Sequence, residues 1–167
     1  MSSLTQTAAP TFESPLKRVA HRLLATDGST VPAIARITLG AVMLPHGLQK
    51  AFGMFGGYGF EGTMGFFTET VGLPWIIAFL AIVAESAGAL ALIVGAASRL
   101  AAFGIGSVML GAIVTTHLEH GFFMNWAGSQ AGEGFEFHLL AIGLAAIVMV
   151  AGAGRASIDR RLAARLA

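Results

Sequence analysis

Four long apolar stretches constrain the fold of this chain more than any other feature of its sequence. They cover residues 33–52, 74–97, 100–120 and 135–153. A helix of about 20 apolar residues is needed to cross the roughly 30 Å hydrocarbon core of a bilayer. Each stretch is hydrophobic on every side, which is typical of a helix surrounded by lipid. The sequence therefore predicts an all-α integral membrane four-helix bundle.

The composition agrees with a membrane protein and excludes several classes of function. Hydrophobic residues make up 55% of the 167 residues and charged residues only 11%, against about 25% charged residues in soluble domains. The net charge of +1 does not point to nucleic acid as a partner. Because the chain has no cysteine, disulfides, thiol catalysis and cysteine-ligated iron–sulfur clusters are excluded.

The basic residues cluster on one side of the predicted membrane. The loops 53–73 and 121–134 contain no lysine or arginine. The opposite ends of the stretches carry Lys17, Arg18, Arg22, Arg99, Arg155, Arg160, Arg161 and Arg165. Because cytoplasmic loops carry the excess of basic residues, this pattern predicts that both termini lie in the cytoplasm.

The chain divides into four predicted segments. Residues 1–15 are polar and are expected to be a disordered tail. Residues 16–27 are expected to form an amphipathic helix at the membrane interface, because apolar and basic residues fall on different faces. Residues 32–154 hold the four transmembrane helices. Residues 155–167 form a basic cytoplasmic amphipathic tail, with Ser157 as the candidate N-cap of its helix.

Ionisable residues inside a bilayer are costly, and Glu85 is expected about 16 Å below the outer end of its helix, near the midplane. The small residues that share its helical face are Ala78, Ala81, Gly88 and Ala89. Small residues mark helix–helix interfaces, so Glu85 is expected to face the bundle interior. His46 is expected to face the interior as well. Two interpretations stay open. In the first, Glu85 has a function, either in proton transfer or in ligand binding. In the second, it is a buried carboxyl that only fixes helix packing and is paired with Lys50 or His46.

A group of polar residues closes the first apolar stretch. His46 follows Pro45, whose missing N–H leaves the carbonyl of Ala41 without its helical partner. Gln49 and Lys50 lie one turn further along, on the face of His46. This group either binds an oxygen-bearing ligand from the outer side or is a kinked helix end whose polar groups meet water and lipid headgroups.

Two further stretches carry histidines toward the same side of the membrane. His117 and His120 can share one helical face, and this spacing can supply two metal ligands. The negative end of the helix dipole also favours histidine at these positions. His138 lies near the start of the fourth stretch. On the opposite side, Arg36 lies about 5 Å from the inner edge and is expected to snorkel to the surface.

Several short motifs resemble those of the DoxX family. The first stretch ends in His46-Gly47-x-Gln49-Lys50-x-Phe52-Gly53, and the second contains Ala84-Glu85-x-x-Gly88. Later matches are Gly121-Phe122, Gly134-x-Glu136 and Gly152-x-Gly154-Arg155-x-Ser157-x-Asp159. The resemblance implies a four-helix protein of the bacterial inner membrane, similar to the small membrane subunit of a thiosulfate:quinone oxidoreductase. Other members of the family are linked to oxidative or thiol stress complexes.

The resemblance and the ionisable residues together suggest a subunit of a quinone-linked oxidoreductase. In this hypothesis Glu85 and His46 are catalytic, and the residues that bind the quinone are His46, Gln49, Lys50, His117 and His138. Electrons come from a redox partner subunit, a bound substrate, or a haem or metal that the sequence does not reveal. The alternatives are a non-enzymatic scaffold for a redox or stress-response complex, or a small transporter. Four helices give a transporter only a narrow pathway unless the chain forms a homo-oligomer.

The predicted orientation can be tested by thiol labelling, because an introduced cysteine is the only thiol in the chain. We expect Gly62→Cys and Ser129→Cys to react with a membrane-impermeant thiol reagent in intact cells, since both lie in loops without basic residues. We expect Ser3→Cys to stay unlabelled until the membrane is permeabilised. Labelling of Ser3→Cys but not of the two loop variants in intact cells would reverse the orientation.

Overall fold

The computed structural model describes residues 15–166, and every regular element in that range is helical. The predicted all-α class is confirmed. The helices are α1 Pro15–Leu24, α2 Thr30–Phe52, α3 Gly59–Gly65, α4 Trp75–Val94, α5 Ser98–His120, α6 Glu136–Ala151 and α7 Ile158–Leu166. The predicted disordered tail, residues 1–15, lies outside the described residues except for Pro15, with which α1 begins.

Three helices are long and apolar enough to cross a membrane. They are α2 and α5, with 23 residues each, and α4, with 20 residues. The helix α6 is also apolar but has 16 residues, fewer than the about 20 of a full crossing. The fourth span therefore stays a prediction.

The four apolar helices pack in a ring, in which α2 and α5 each contact both α4 and α6. Their shared core consists of Ala35, Leu39, Met43, Ala89, Leu92, Ala102, Ile105, Met109, Ala141, Ala145 and Val148. Large apolar side chains such as Leu100, Leu140 and Val150 lie exposed on the outside. An apolar interior inside an apolar surface is the arrangement expected of helices that contact lipid.

At one end of the ring α2 and α5 begin, while α4 and α6 finish. Every lysine and arginine of the chain except Lys50 belongs to this end, and we call it the basic end. We call the opposite end, where α2 and α5 finish, the histidine end. The amphipathic helices α1 and α7 pack against each other at the basic end.

Arg36 is buried at the basic end, with only 1% of its surface exposed. Its guanidinium donates five hydrogen bonds to backbone carbonyls: Nε to Ala153 (2.7 Å), Nη1 to Leu92 (2.8 Å) and Ile93 (2.7 Å), and Nη2 to Arg155 (3.3 Å) and Ala156 (2.8 Å). The expectation that Arg36 snorkels to the surface is therefore wrong. Burial is tolerated because all five N–H donors of the side chain are satisfied. The carbonyls of Leu92 and Ile93 also lie in the last turn of α4, where the helix dipole favours a cation. Those of Ala153, Arg155 and Ala156 lie in the segment that joins α6 to α7.

The C-terminal helix α7 is fastened to the basic end by Asp159, which is 1% exposed. Its carboxylate accepts hydrogen bonds from the backbone N–H groups of Ala97 (2.7 Å) and Ser98 (2.8 Å). These donors belong to the start of α5, where no helical carbonyl can serve them. The predicted cap of α7 is confirmed, because the Ser157 hydroxyl accepts from the N–H of Arg160 at 3.3 Å. The helix α7 is therefore part of the folded bundle.

The buried guanidinium gives a test of the fold. We expect Arg36→Met to lower the free energy of unfolding by about 3 kcal/mol, because carbonyls at the end of α4 and in the segment between α6 and α7 lose their partner. Thermal unfolding in an uncharged detergent, followed by circular dichroism, measures this change. Arg161→Met, which removes the same charge from an exposed position, is the matched control and should change stability little. Equal melting temperatures for the two variants would contradict the structural role of Arg36.

Candidate functional site

Five ionisable side chains come together at the histidine end: His46, Lys50, Glu85, His117 and His138. We call them the polar cluster. Lys50 and Glu85 form an ion pair with 2.5 Å between Nζ and Oε2, and the ring centroids of His117 and His138 are 4.2 Å apart. Charge interactions connect the two pairs. Glu85 interacts with His46, and both His46 and Lys50 interact with His138. All four apolar helices contribute to the cluster.

Glu85 lies inside the bundle, as its small-residue face predicts, with 3% of its surface exposed. It sits in a π-helical turn, Ala84–Gly88, that interrupts α4. Such turns are frequent at functional sites. The carboxylate accepts a hydrogen bond from Lys50. Of the two partners named from the sequence, Lys50 is therefore the one that pairs with Glu85. Burial of this charge is tolerated because Lys50 provides the opposite charge at contact distance.

Gly47 allows α2 to approach the π-helical turn that carries Glu85. A Cβ atom at Gly47 would collide with the backbone carbonyl of Glu85 and would lie 2.5 Å from the Cα of Ser86. No residue other than glycine fits such a contact without displacing one helix. The position of Gly47 therefore sets the height and distance at which Lys50 meets Glu85.

His46 lies at the edge of the cluster and does not face the interior. Its side chain is exposed, and its ring contacts that of Phe137 on α6 with 5.9 Å between centroids. The expectation that His46 points into the bundle is therefore wrong. The residue lies at the seam between α2 and α6, at the edge of the polar cluster.

His138 is the least satisfied member of the cluster. It is 6% exposed, and within residues 15–166 its Nδ1 atom has no hydrogen-bond partner. A buried polar atom without a partner is rare and costs free energy, so it calls for an explanation. The neighbouring His117 is satisfied, because its Nδ1 lies 2.8 Å from the carbonyl oxygen of Glu133. His117 ends a second π-helical turn, Ile113–His117, in α5.

Gln49 and His120 lie apart from the polar cluster. The Gln49 amide donates to the carbonyl of Phe55 at 3.4 Å and so holds the turn that follows α2. The His120 ring packs against Gly132, where a Cβ atom would lie 2.5 Å from its Cδ2. Among the described residues, no three histidine or acidic side chains are arranged to hold a metal ion. The pair His117 and His120 therefore has no third protein ligand in this part of the chain.

Two carboxylates order the loop over the histidines, and of the two the sequence motifs included only Glu136. Glu133 accepts from the N–H of Asn125 at 2.6 Å, and Glu136 accepts from the N–H of Met124 at 2.9 Å. The carbonyl of Glu133 also meets His117. The loop thus has a defined conformation above the His117–His138 pair. Asn125 and Gln130, which bond each other across the loop, were the local signal for this turn.

The family comparison identifies the part of the chain that carries most of this site. The family model described as DoxX matches residues 31–118, which is more than half of the chain. The matched segment includes four members of the polar cluster and ends before α6, which carries His138. No curated protein and no solved structure matches the chain significantly.

The close approach at Gly47 predicts a strong effect of one methyl group. We expect Gly47→Ala to lower the free energy of unfolding by about 2 kcal/mol, because the added Cβ forces α2 away from α4. Gly88→Ala is the matched control, since a Cβ there would make only ordinary contacts at 3.8 Å or more. It should be neutral or stabilising by up to about 1 kcal/mol through helix propensity. Similar thermal stabilities of the two variants in detergent would refute the helix contact.

Proposed function

The chain belongs to the DoxX family, and from that premise we propose that it is a bacterial inner-membrane subunit of a quinone-linked oxidoreductase. The observation that carries the proposal is the buried Nδ1 atom of His138, which has no partner among the described residues and lies beside a buried ion pair. A ligand oxygen at this place would satisfy that nitrogen. The polar cluster is therefore the proposed binding site.

The proposed topology has four spans, with both termini in the cytoplasm. The helix α6 is the fourth span, because it packs against α5 and α2 as the other spans pack against their neighbours. Both α1 and α7 lie at the basic end, which supports placing the two termini on one side. The basic residues then face the cytoplasm, in agreement with the positive-inside rule.

The chemistry of the cluster fits a quinone. A quinone presents two carbonyl oxygens that accept hydrogen bonds, and its reduction to a quinol takes up two electrons and two protons. His138 and the exposed His46 can donate hydrogen bonds at two sides of the cluster. We propose that a partner protein supplies the electrons, because none of the described side chains is an electron carrier.

The ion pair can exchange protons without a net change of buried charge. Lys50 donates to Oε2 of Glu85 at 2.5 Å, and a proton that moves along this bond leaves both groups neutral. General acid and base groups must lie within hydrogen-bond reach of the atoms they serve, and Lys50 and Glu85 meet that condition for each other. The proposed role of Glu85 is to accept and return protons, and Lys50 holds its carboxylate in place.

The alternative is a non-enzymatic scaffold, and the same ion pair supports it. Because Lys50 already satisfies Glu85, the carboxylate needs no ligand to be stable where it lies. The cluster would then only fix the helices of a membrane subunit within a redox or stress-response complex. A transporter has the least support, because the basic end is closed by Arg36 and its five carbonyl partners.

Glu85 separates these proposals experimentally. We expect Glu85→Gln to insert and fold normally but to lower quinone reduction at least about 100-fold, because an amide keeps the hydrogen bond and cannot exchange a proton. The assay is quinone reduction in proteoliposomes that contain the purified native complex. Glu69→Gln, which changes an exposed carboxyl outside the cluster, is the matched control. Full activity of Glu85→Gln would remove the proton-transfer role and leave the scaffold.

His46 tests ligand binding in the same assay. We expect His46→Ala to raise the quinone concentration needed for half-maximal rate, because one donor at the entrance is lost. The maximal rate should change less than in Glu85→Gln. An unchanged concentration dependence would exclude His46 from the binding site.

A further inference from the structure

A strongly basic surface at the basic end plays no part in the polar cluster. It is formed by the helix pair α1 and α7, which pack against each other. The exposed basic residues on and beside the two helices are Lys17, Arg18, Arg22, Arg155, Arg160, Arg161 and Arg165. The two acidic residues nearby that the structure describes are Asp27, which is exposed, and Asp159, which is buried. The surface therefore carries a large positive excess in a chain whose net charge is only +1.

Both helices repeat the same arrangement of side chains. On α1 the exposed apolar residues Val19 and Leu23 are four apart, at 55% and 54% exposure, and each directly follows an arginine in the sequence. Residues four apart share a face, and neighbouring residues are turned by about 100°. An apolar stripe therefore runs beside a stripe of Arg18 and Arg22.

On α7 the apolar stripe is Ile158 and Leu162, each 40% exposed. Arg161 and Arg165 form the basic stripe beside it, again four residues apart. Within residues 15–166 the side chains of Arg18, Arg22, Arg161 and Arg165 make no hydrogen bond or ion pair. These four guanidinium groups can therefore serve an external anion.

An apolar stripe beside a guanidinium stripe fits the boundary between lipid tails and lipid headgroups. The apolar side chains enter the tail region, and the arginines extend to the phosphates. The helix α2, which is long and apolar enough to span the membrane, begins at Thr30, shortly after α1 ends at Leu24. This connection holds α1 close to the membrane surface. A nucleic acid would match the charge but would leave both apolar stripes in water.

We propose that the α1–α7 pair binds the headgroups of anionic phospholipids, and that the bound lipid stabilises the whole bundle. The coupling runs through Asp159 on α7, whose carboxylate holds the first N–H groups of α5. Lipid that holds α7 at the membrane surface also holds this contact in place. The proposal is independent of the quinone reaction.

The test compares melting temperatures of the full chain in nanodiscs. The lipid is either phosphatidylcholine alone or a mixture with phosphatidylglycerol, whose headgroup is anionic. Each basic residue near an anionic surface is attracted to it. We therefore expect the anionic mixture to raise the melting temperature by at least about 3 °C. High salt should reduce the rise, because it screens the charges.

Two four-residue variants identify the source of the rise. Replacing Arg18, Arg22, Arg161 and Arg165 by glutamine should abolish most of it, while replacing the same four by lysine should preserve it. A third variant, Asp159→Asn, keeps all four arginines and should show a smaller rise, because the contact between α7 and α5 is weakened.

Three results would overturn the proposal. The first is an equal rise in the wild type and the glutamine variant. The second is loss of the rise in the lysine variant as well. The third is an equal rise when inorganic phosphate is added to phosphatidylcholine nanodiscs, because the anion would then not be a lipid. A full rise in Asp159→Asn would overturn the coupling through α7.

Discussion

The contact of the Arg36 guanidinium with the end of α4 and with the segment that joins α6 to α7 is the constraint on which the bundle depends. The end of α4 leaves carbonyls without helical partners and carries a partial negative charge, and the carbonyls of the connecting segment have no helical partners either. One guanidinium offers five donors and a positive charge in a single plane. Because Arg36 belongs to α2, it also fixes the height of α2 against α4. Further along the same antiparallel seam, a Cβ at Gly40 would lie 2.7 Å from the Ala89 carbonyl, and Gly47 meets Glu85. The position of the ion pair thus follows from a contact about four helical turns away along α2.

The two ends of the bundle use opposite chemistry to satisfy the backbone. At the basic end, arginines donate to free carbonyls: Arg99 serves the carbonyls of Met149, Val150 and Ala25 as Arg36 serves its own set. At the histidine end, carboxylates accept from free N–H groups, as Glu133 and Glu136 do in the loop before α6. Lys50 is the exception, since it is the one lysine or arginine of the sequence that lies at the histidine end. Its partner is the buried carboxylate of Glu85.

The sequence predicts the helical class and the burial of Glu85, but not the partners of the buried charges. The length of an apolar stretch and a face of small residues are properties of a single helix. The apolar stretches, and the inward direction of the face of α4 that carries Glu85, could therefore be predicted. The burial of Arg36 could not be predicted, because its partners are backbone carbonyls, which have no sequence signature. Its depth in the membrane alone favours snorkelling. The depth of a residue along a helix also does not predict which way its side chain points. The position of His46 at the seam with α6 could therefore not be predicted. The π-helical turns at Glu85 and His117 insert a residue without a composition signal, and they change which side chains face inward.

The members of the polar cluster differ in whether their polar atoms have partners, and this difference decides which observations bear on function. Lys50 and Glu85 satisfy each other, so their contact is compatible with both the scaffold and the redox proposal. The buried Nδ1 of His138 is not satisfied by any described residue, and packing alone gives no reason to bury it. A path to this nitrogen from the basic end would have to pass Leu39, Met43 and Val148, which are at most 2% exposed. The exposed His46 lies at the seam between α2 and α6, and an ordered loop lies over the His117–His138 pair. An exposed histidine at a lipid-facing seam favours a ligand that dissolves in the bilayer, which is the property that a quinone brings to the proposed site.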